Sequence, residues 1–251
     1  HSMSLPEIIA HRGFSAVAPE NTLAALTAAL EAGATAIEVD IQTAIDGTPV
    51  LIHDPHLGRT SSGVGPVRRR TVGQLQSLDA GAWFSDEFEG ERIPTLAEAL
   101  DHMGRAVEAF YPEVKGYREM EDLDRMVSIV RSAGLLARTT FISMDPIVLD
   151  RIRDTEPSVA LGYVVDDADE LDAALEWCHT DGNALLDLKL ELALDRPELV
   201  ETSLDGGLEV GVWTVDDPED AERLWERGAT LFTTNEVEAL LAWSRSVGSP
   251  T

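Results

Sequence analysis

Eight short runs rich in apolar and β-branched residues recur along the chain, at residues 7–13, 36–42, 109–115, 139–144, 159–165, 184–190, 209–215 and 230–234. Most lead into a stretch with apolar residues at helical spacing, including residues 122–133, 147–155, 169–178, 219–228 and 236–246. Asp145-Pro146 and Asp217-Pro218 each place a capping side chain before a proline at the first helical position. Asn21 reads as the cap of the first helix, in which Leu23, Leu26 and Leu30 share a face and Gly33 marks the stop. Eight strand-then-helix units in a chain of 251 residues favour a closed (β/α)8 TIM barrel over an open doubly wound sheet. No Gly-x-Gly-x-x-Gly follows a strand, so the dinucleotide-binding signature is missing.

One segment interrupts this rhythm. Residues 36–54 read AIEVDIQTAIDGTPVLIHD, with apolar alternation on both sides of Asp46-Gly47, the usual hairpin signal. A two-residue turn centred there sets Asp40 opposite His53. A parallel neighbour needs a crossover of about a dozen residues, so residues 50–54 are expected to return antiparallel, as a β-hairpin arm and not as the third barrel strand. Residues 54–93 then read as a small inserted segment that packs over the barrel mouth. It carries capping-box spacing at Thr71 and Gln74 and an aromatic pair, Trp83-Phe84. A second capping box, Thr95 with Glu98, opens the helix that follows. The expected organisation is one barrel domain over residues 4–247, preceded by His1-Ser2-Met3, which resembles a cloning scar with Met3 as the native start.

Charge narrows the partners. Nineteen Lys and Arg against 46 Asp and Glu give a net charge of −27, which argues against nucleic acid or an anionic membrane surface. Only two lysines occur, Lys115 and Lys189, a pattern that fits either adaptation to high salt or a bias of the source genome. No apolar run approaches the roughly 20 residues that span a bilayer, and no basic-then-apolar leader is present. A cytoplasmic protein without stable membrane insertion is expected. Cys178 stands alone, so no internal disulfide forms, and it reads as a buried thiol on a helix.

His11, Arg12, Glu38, Asp40, Glu113 and Lys115 all fall at or near the C-terminal ends of predicted strands, the face where barrels of this kind carry chemistry. The two-residue spacings Glu38-x-Asp40 and Glu113-x-Lys115 put each pair on one face of its strand. Three carboxylates from two strands suit a hard cation, Mg2+ or Ca2+, whereas the cysteine and HExxH patterns of zinc sites are missing. His11 and His53 form a natural acid-base pair, and Arg12 and Lys115 suit a substrate oxyanion such as phosphate. Asp187 and Lys189 end another strand but read as a structural or solvated pair.

These residues lie within motifs that resemble the glycerophosphodiester phosphodiesterase family. His11-Arg12-Gly13 and Pro19-Glu20-Asn21-Thr22 match its opening, and Glu38-x-Asp40 with Asp46-Gly47-Thr48-Pro49-Val50 and His53-Asp54 match its central block. Leu57 onward, Leu78-Asp79-Ala80-Gly81 and Arg92-Ile93-Pro94-Thr95-Leu96 resemble the family insertion. Glu113-x-Lys115, Trp213-Thr214-Val215 and Thr234-Asn235 complete an ordered series that covers nearly the whole chain. Ala44, Gly58, Ser62, Met144 and Val237 depart from the pattern without removing a proposed site residue.

The resemblance implies metal-dependent hydrolysis of a small-molecule glycerophosphodiester to sn-glycerol 3-phosphate and an alcohol. It implies Glu38, Asp40 and Glu113 as ligands of a divalent metal, His11 and His53 as general acid and base, and Arg12 and Lys115 as phosphate contacts. The implied route has the neighbouring glycerol hydroxyl attack phosphorus, giving a cyclic phosphate that water opens. Two other readings stand beside it: a lysophospholipase D-like enzyme for lipid-linked substrates, with an apolar patch near Trp83, Phe84 and Met144, and a non-catalytic binding derivative.

Overall fold

A computed structural model describes residues 5–248. The leader at residues 1–3 and Ser4, where the predicted domain begins, lie outside the described residues. The strands are β1 (Glu7–His11), β2 (Ala36–Thr43), β3 (Pro49–Leu51), β4 (Ala109–Val114), β5 (Thr140–Ser143), β6 (Ala160–Val165), β7 (Ala184–Lys189), β8 (Val210–Trp213) and β9 (Leu231–Thr234). β1 pairs in parallel with both β2 and β9, and β2 with β4. The sheet therefore closes on itself, and β3 hangs from β2 as the antiparallel arm. The fold is the (β/α)8 barrel that the alternation predicted.

The strand period of two sorts the side chains. Ile37, Val39 and Ile41 of β2 join Phe110, Phe141 and Phe232 in the main core between strands and helices. The opposite face puts Ile9, Ala36, Tyr111, Ile142, Val164, Leu185 and Leu231 in a separate cluster that fills the barrel interior. Both faces of β2 are thus buried along its whole length, the carboxylates it carries included.

The helices expected after β4, β5, β6, β8 and β9 form at Met120–Ser132, Pro146–Thr155, Leu171–Asp181, Pro218–Glu226 and Val237–Val247. Two short helices between β7 and β8, Leu190–Asp195 and Glu198–Asp205, were not legible in the sequence. Pro197 separates them, and neither is long enough to establish a clear period. Both expected capping boxes form, at Thr71 with Gln74 and at Thr95 with Glu98. Cys178 is buried on its helix, where burial and the nearby Asp181 push the thiol up to about 12.

Two local expectations are corrected. The hairpin register is shifted by one: Ile41 pairs with Leu51 and Gln42 with Val50, and the Ile52 amide donates to the Asp40 carbonyl. Asp40 therefore stands opposite Ile52, and His53 lies beyond the end of β3. The cause is the turn. Ala44 and Thr48 close a three-residue loop, with Gly47 in the left-handed region at φ +81°, which is the type I turn plus bulge and not the two-residue form. In the first helix the cap is Thr22, whose hydroxyl accepts from the Ala25 amide. Asn21 is instead turned to left-handed φ, +58°, and faces β2.

The inserted segment has a small core of its own, in which Leu57, Val67, Leu75, Ala80 and Ile93 pack on Ala44, Val50 and Ile52 of the hairpin. Trp83 and Phe84 meet edge to face at 5.7 Å between ring centroids. Among the described residues no helix is long and apolar enough to cross a membrane.

Candidate active site

β1, β2 and β4 bring their polar residues together at the C-terminal mouth. Parallel pairing sets His11 beside Glu38, and Asp40 beside Glu113. Ligand oxygens of Glu38, Asp40 and Glu113 lie within 4.8 Å of one another, and all three residues are buried. Glu38 Oε1 and Asp40 Oδ1 have no hydrogen bond, and Glu113 Oε1 meets only the Lys115 ammonium. The second oxygens of Glu38 and Asp40 are anchored: the Arg12 amide donates to Glu38 Oε2 at 2.9 Å, and Asn21 Nδ2 donates to Asp40 Oδ2 at 2.9 Å. Buried carboxylates short of donors are costly; here three of them converge, as ligands of a hard cation do.

The local backbone is built for this. Arg12 has φ +59°, and a Cβ on Gly13 would sit 2.5 Å from the Ala25 carbonyl carbon, so only glycine lets the strand tip press against the first helix. The turn swings Arg12 Nε to 2.9 Å from Asp40 Oδ2 and lets Arg12 Nη1 donate to Glu20. Lys115, just past β4, pairs with Glu113 Oε1 at 2.7 Å and reaches Asp40 Oδ1 at 3.9 Å.

The electrostatics separate the three carboxyls. Burial raises Glu38 well above the usual range, and the neighbouring Asp40 and Glu113 charges add to it. Burial likewise pushes Glu113 up to about 7, against the opposing pull of Lys115. Burial would raise Asp40 too, but Arg12 and Lys115 outweigh it and hold its carboxyl below the ordinary value. Three like charges held this close are what a divalent ion bound among them would offset.

The two histidines differ in setting. Burial and the adjacent Arg12 push His11 down to about 4. Its Nδ1 lies 2.7 Å from Asn235 Oδ1. Asn235 Nδ2 and its amide both donate to Asp216, which turns the Asn235 oxygen toward His11. Nδ1 of His11 therefore carries the proton, and Nε2 faces the mouth as an acceptor. His53 is more open, with Nδ1 held 2.6 Å from Asp54 Oδ1. Asp54 is bound by Arg59, which also donates to Glu20.

The mouth is a cavity of about 430 Å³ onto which His11, Arg12, Glu38, His53, Glu113 and Lys115 all open. Asp187, set aside in the sequence as structural or solvated, opens onto it as well. It is 7% exposed, its carboxyl has no hydrogen-bond partner among the described residues, and burial and Glu113 push that carboxyl up to about 8. Gly211 on the paired strand leaves it room: a Cβ there would lie 2.8 Å from Asp187 Oδ1. Asn21, Asn235 and Asp187 were the residues missed. Asn21 lies in Pro19-Glu20-Asn21-Thr22 and Asn235 in Thr234-Asn235, and the strand period of two points Asp187 inward with Leu185.

Fold and mouth together define a (β/α)8-barrel enzyme with its reacting groups at the C-terminal ends of the strands. The profile of the glycerophosphoryl diester phosphodiesterase family matches residues 11–239, and the chain belongs to that family. It is 32% identical over 248 residues to a glycerophosphodiester phosphodiesterase of Caldanaerobacter subterraneus subsp. tengcongensis, covering 96% of this chain and 98% of the relative. A glycerophosphodiester phosphodiesterase of Bacillus subtilis is 31% identical, with 90% of this chain and 82% of that one covered. Among solved structures, an Oleispira antarctica phosphodiesterase in complex with the product sn-glycerol-3-phosphate superposes with a TM-score of 0.83 at 27% identity, covering 98% of each chain. A glycerophosphodiester phosphodiesterase from Agrobacterium tumefaciens gives 0.81 at 28% identity, over 94% of this chain and 99% of that one.

Proposed function

We propose that this protein hydrolyses glycerophosphodiesters to sn-glycerol 3-phosphate and an alcohol, as a divalent-metal-dependent phosphodiesterase. The convergence of three buried carboxylates, with oxygens of all three within 4.8 Å of one another beside Arg12 and Lys115, carries the reading. Glu38, Asp40 and Glu113 would hold Mg2+ or Ca2+, which when bound supplies Lewis-acid polarisation of the phosphate and acidifies a nearby hydroxyl. Arg12 and Lys115 hold phosphate oxygens and offset the charge that develops on them. His11, unprotonated at neutral pH with Nε2 toward the mouth, takes the proton of the glycerol hydroxyl as its oxygen attacks phosphorus. His53, oriented by Asp54, gives a proton to the alcohol oxygen as its bond to phosphorus breaks. The two exchange roles when water opens the cyclic phosphate. Asp187 meets a free hydroxyl of the glycerol, the partner that the protein does not provide. Residues 4–247 are read as one barrel domain, with residues 54–93 walling the mouth.

The test is direct. With Mg2+ or Ca2+ supplied, glycerophosphocholine should yield glycerol 3-phosphate and choline, and chelation should stop the release. Failure to release glycerol 3-phosphate from any glycerophosphodiester, with either ion saturating, would sink the reading. Turnover confined to lysophosphatidylcholine would favour the lysophospholipase D-like alternative.

A further inference from the structure

A second cavity of about 400 Å³ opens beside the mouth, between the tips of β2 and β4 and the insertion. It shares Gln42, Pro55 and Lys115 with the mouth, so the two make one groove with the Lys115 ammonium between them. His56, Arg68 and Tyr117 also line it. No acidic side chain lines it, in a chain with 46 Asp and Glu against 19 Lys and Arg. The mouth on the other side of Lys115 has Glu38, Glu113, Asp166 and Asp187 in its wall.

Arg68 has no ion-pair or hydrogen-bond partner among the described residues, whereas Arg12, Arg59, Arg118, Arg151 and Arg153 are each tied to a carboxylate. It sits in the single turn Val67–Arg69, and buried Val67 pins that turn into the core of the insertion. Arg68 therefore stands, on a fixed backbone, in the exposed wall of a cavity without a counter-charge.

We propose that this groove is the leaving-alcohol subsite and that it selects alcohols carrying a negative charge of their own, with Arg68 as the recognising group. The inference rests on the phosphodiesterase reading. A phosphodiester has two arms, and the glycerol arm must keep its hydroxyl beside the carboxylates and His11, inside the mouth. The other arm then runs past Lys115 into the groove. There a carboxylate or phosphate meets a planar fork of donors that matches it, while an ammonium meets basic side chains and no partner. A local cationic groove also offsets the repulsion that a chain of net charge −27 exerts on an anionic substrate.

Glycerophosphoserine and glycerophosphoethanolamine differ by a single carboxylate on the leaving alcohol, so their kcat/KM ratio reads the proposal. In the wild type the serine compound should be favoured about tenfold at low ionic strength, and the preference should shrink as salt rises. Arg68→Ala should bring the ratio near one, Arg68→Lys should keep part of the preference, and Arg68→Glu should invert it. Equal turnover, a preference for ethanolamine, or a serine preference that survives Arg68→Ala would overturn the subsite and leave the hydrolytic reading standing. Turnover of neither substrate, nor of glycerophosphocholine, with Mg2+ or Ca2+ saturating would overturn the reading and the subsite with it.

Discussion

Glu38 and Asp40 are each held by one oxygen and present the other, while Glu113 is held through Lys115. This division makes the single substitution informative. Glu113→Gln keeps the shape of the side chain but removes a charge from the cage and the partner of Lys115. Most of the turnover and most of the affinity for Mg2+ or Ca2+ should disappear while the melting temperature holds within a few degrees. Calorimetric titration that finds wild-type ion binding in this variant would refute the ligand assignment. The histidines allow a sharper distinction, because Asn235 and Asp54 orient them for different tasks. Either His→Ala change should cost at least about 10²-fold in turnover, and the double variant much less than the product of the two. A substrate whose leaving group needs no protonation should rescue His53→Ala and leave His11→Ala inactive. Rescue of both to the same degree, or near-normal turnover in either, would mean that the acid-base pair is misassigned.

At the scale of elements, the hairpin decides where His53 stands. A three-residue loop in place of a two-residue turn moves the register by one, and a one-residue shift exchanges the faces of a strand. Here the shift lifts His53 off the ladder to a position beyond Ile52, where Gln42 Nε2 donates to its carbonyl. Gly47 makes that loop possible at φ +81°, and a Cβ there would meet only the flexible ends of Arg125 and Arg118, at 2.6 and 2.7 Å. Gly47→Ala should therefore cost about 1 kcal/mol, or roughly 2–4 °C in melting temperature for a chain of this size, with turnover nearly unchanged. Loss of activity out of proportion to that shift would show that the loop conformation reaches the site. The short helices Leu190–Asp195 and Glu198–Asp205 carry the opposite lesson: tertiary contacts of Ala193, Leu199 and Val200 hold them, and sequence periodicity does not announce them.

The whole molecule carries its charge as two distinct liabilities. One is the surface, where a net charge of −27 repels itself over a screening length that falls to about 3 Å in molar salt. If high-salt adaptation explains the composition, melting temperature should climb steeply from low salt into the molar range; a flat or falling series would indicate compositional bias. The other is the mouth. Glu113 at about 7 and Asp187 at about 8 keep protons in the folded state that the unfolded chain releases near pH 4. Carboxyls raised in this way subtract stability as pH rises through the folded values. His11, lowered to about 4, acts in the reverse sense but only below about 6.5. The metal-free protein should thus lose melting temperature between pH 6.5 and 8.5. Saturating Mg2+ or Ca2+ should raise it more at the upper end than at the lower. A metal-free melting temperature that rises across this window would contradict the burial of these carboxyls.

By itself the sequence determined the barrel, because strand and helix periodicities are local and eight of them leave few ways to close a sheet. It also determined which residue types gather at the mouth, since each strand end delivers its own side chains and the motifs carry them in order. Only the tertiary structure decided the register of His53, the turning of Asn21 from helix cap to anchor of Asp40, and the facing of Asn235 toward His11. It decided as well that Asp187 opens onto the mouth and that Arg68 opens onto a groove without carboxylates. These depend on contacts between segments far apart in the chain, and on turn conformations whose energies differ by about the 1 kcal/mol that distant packing readily overrides.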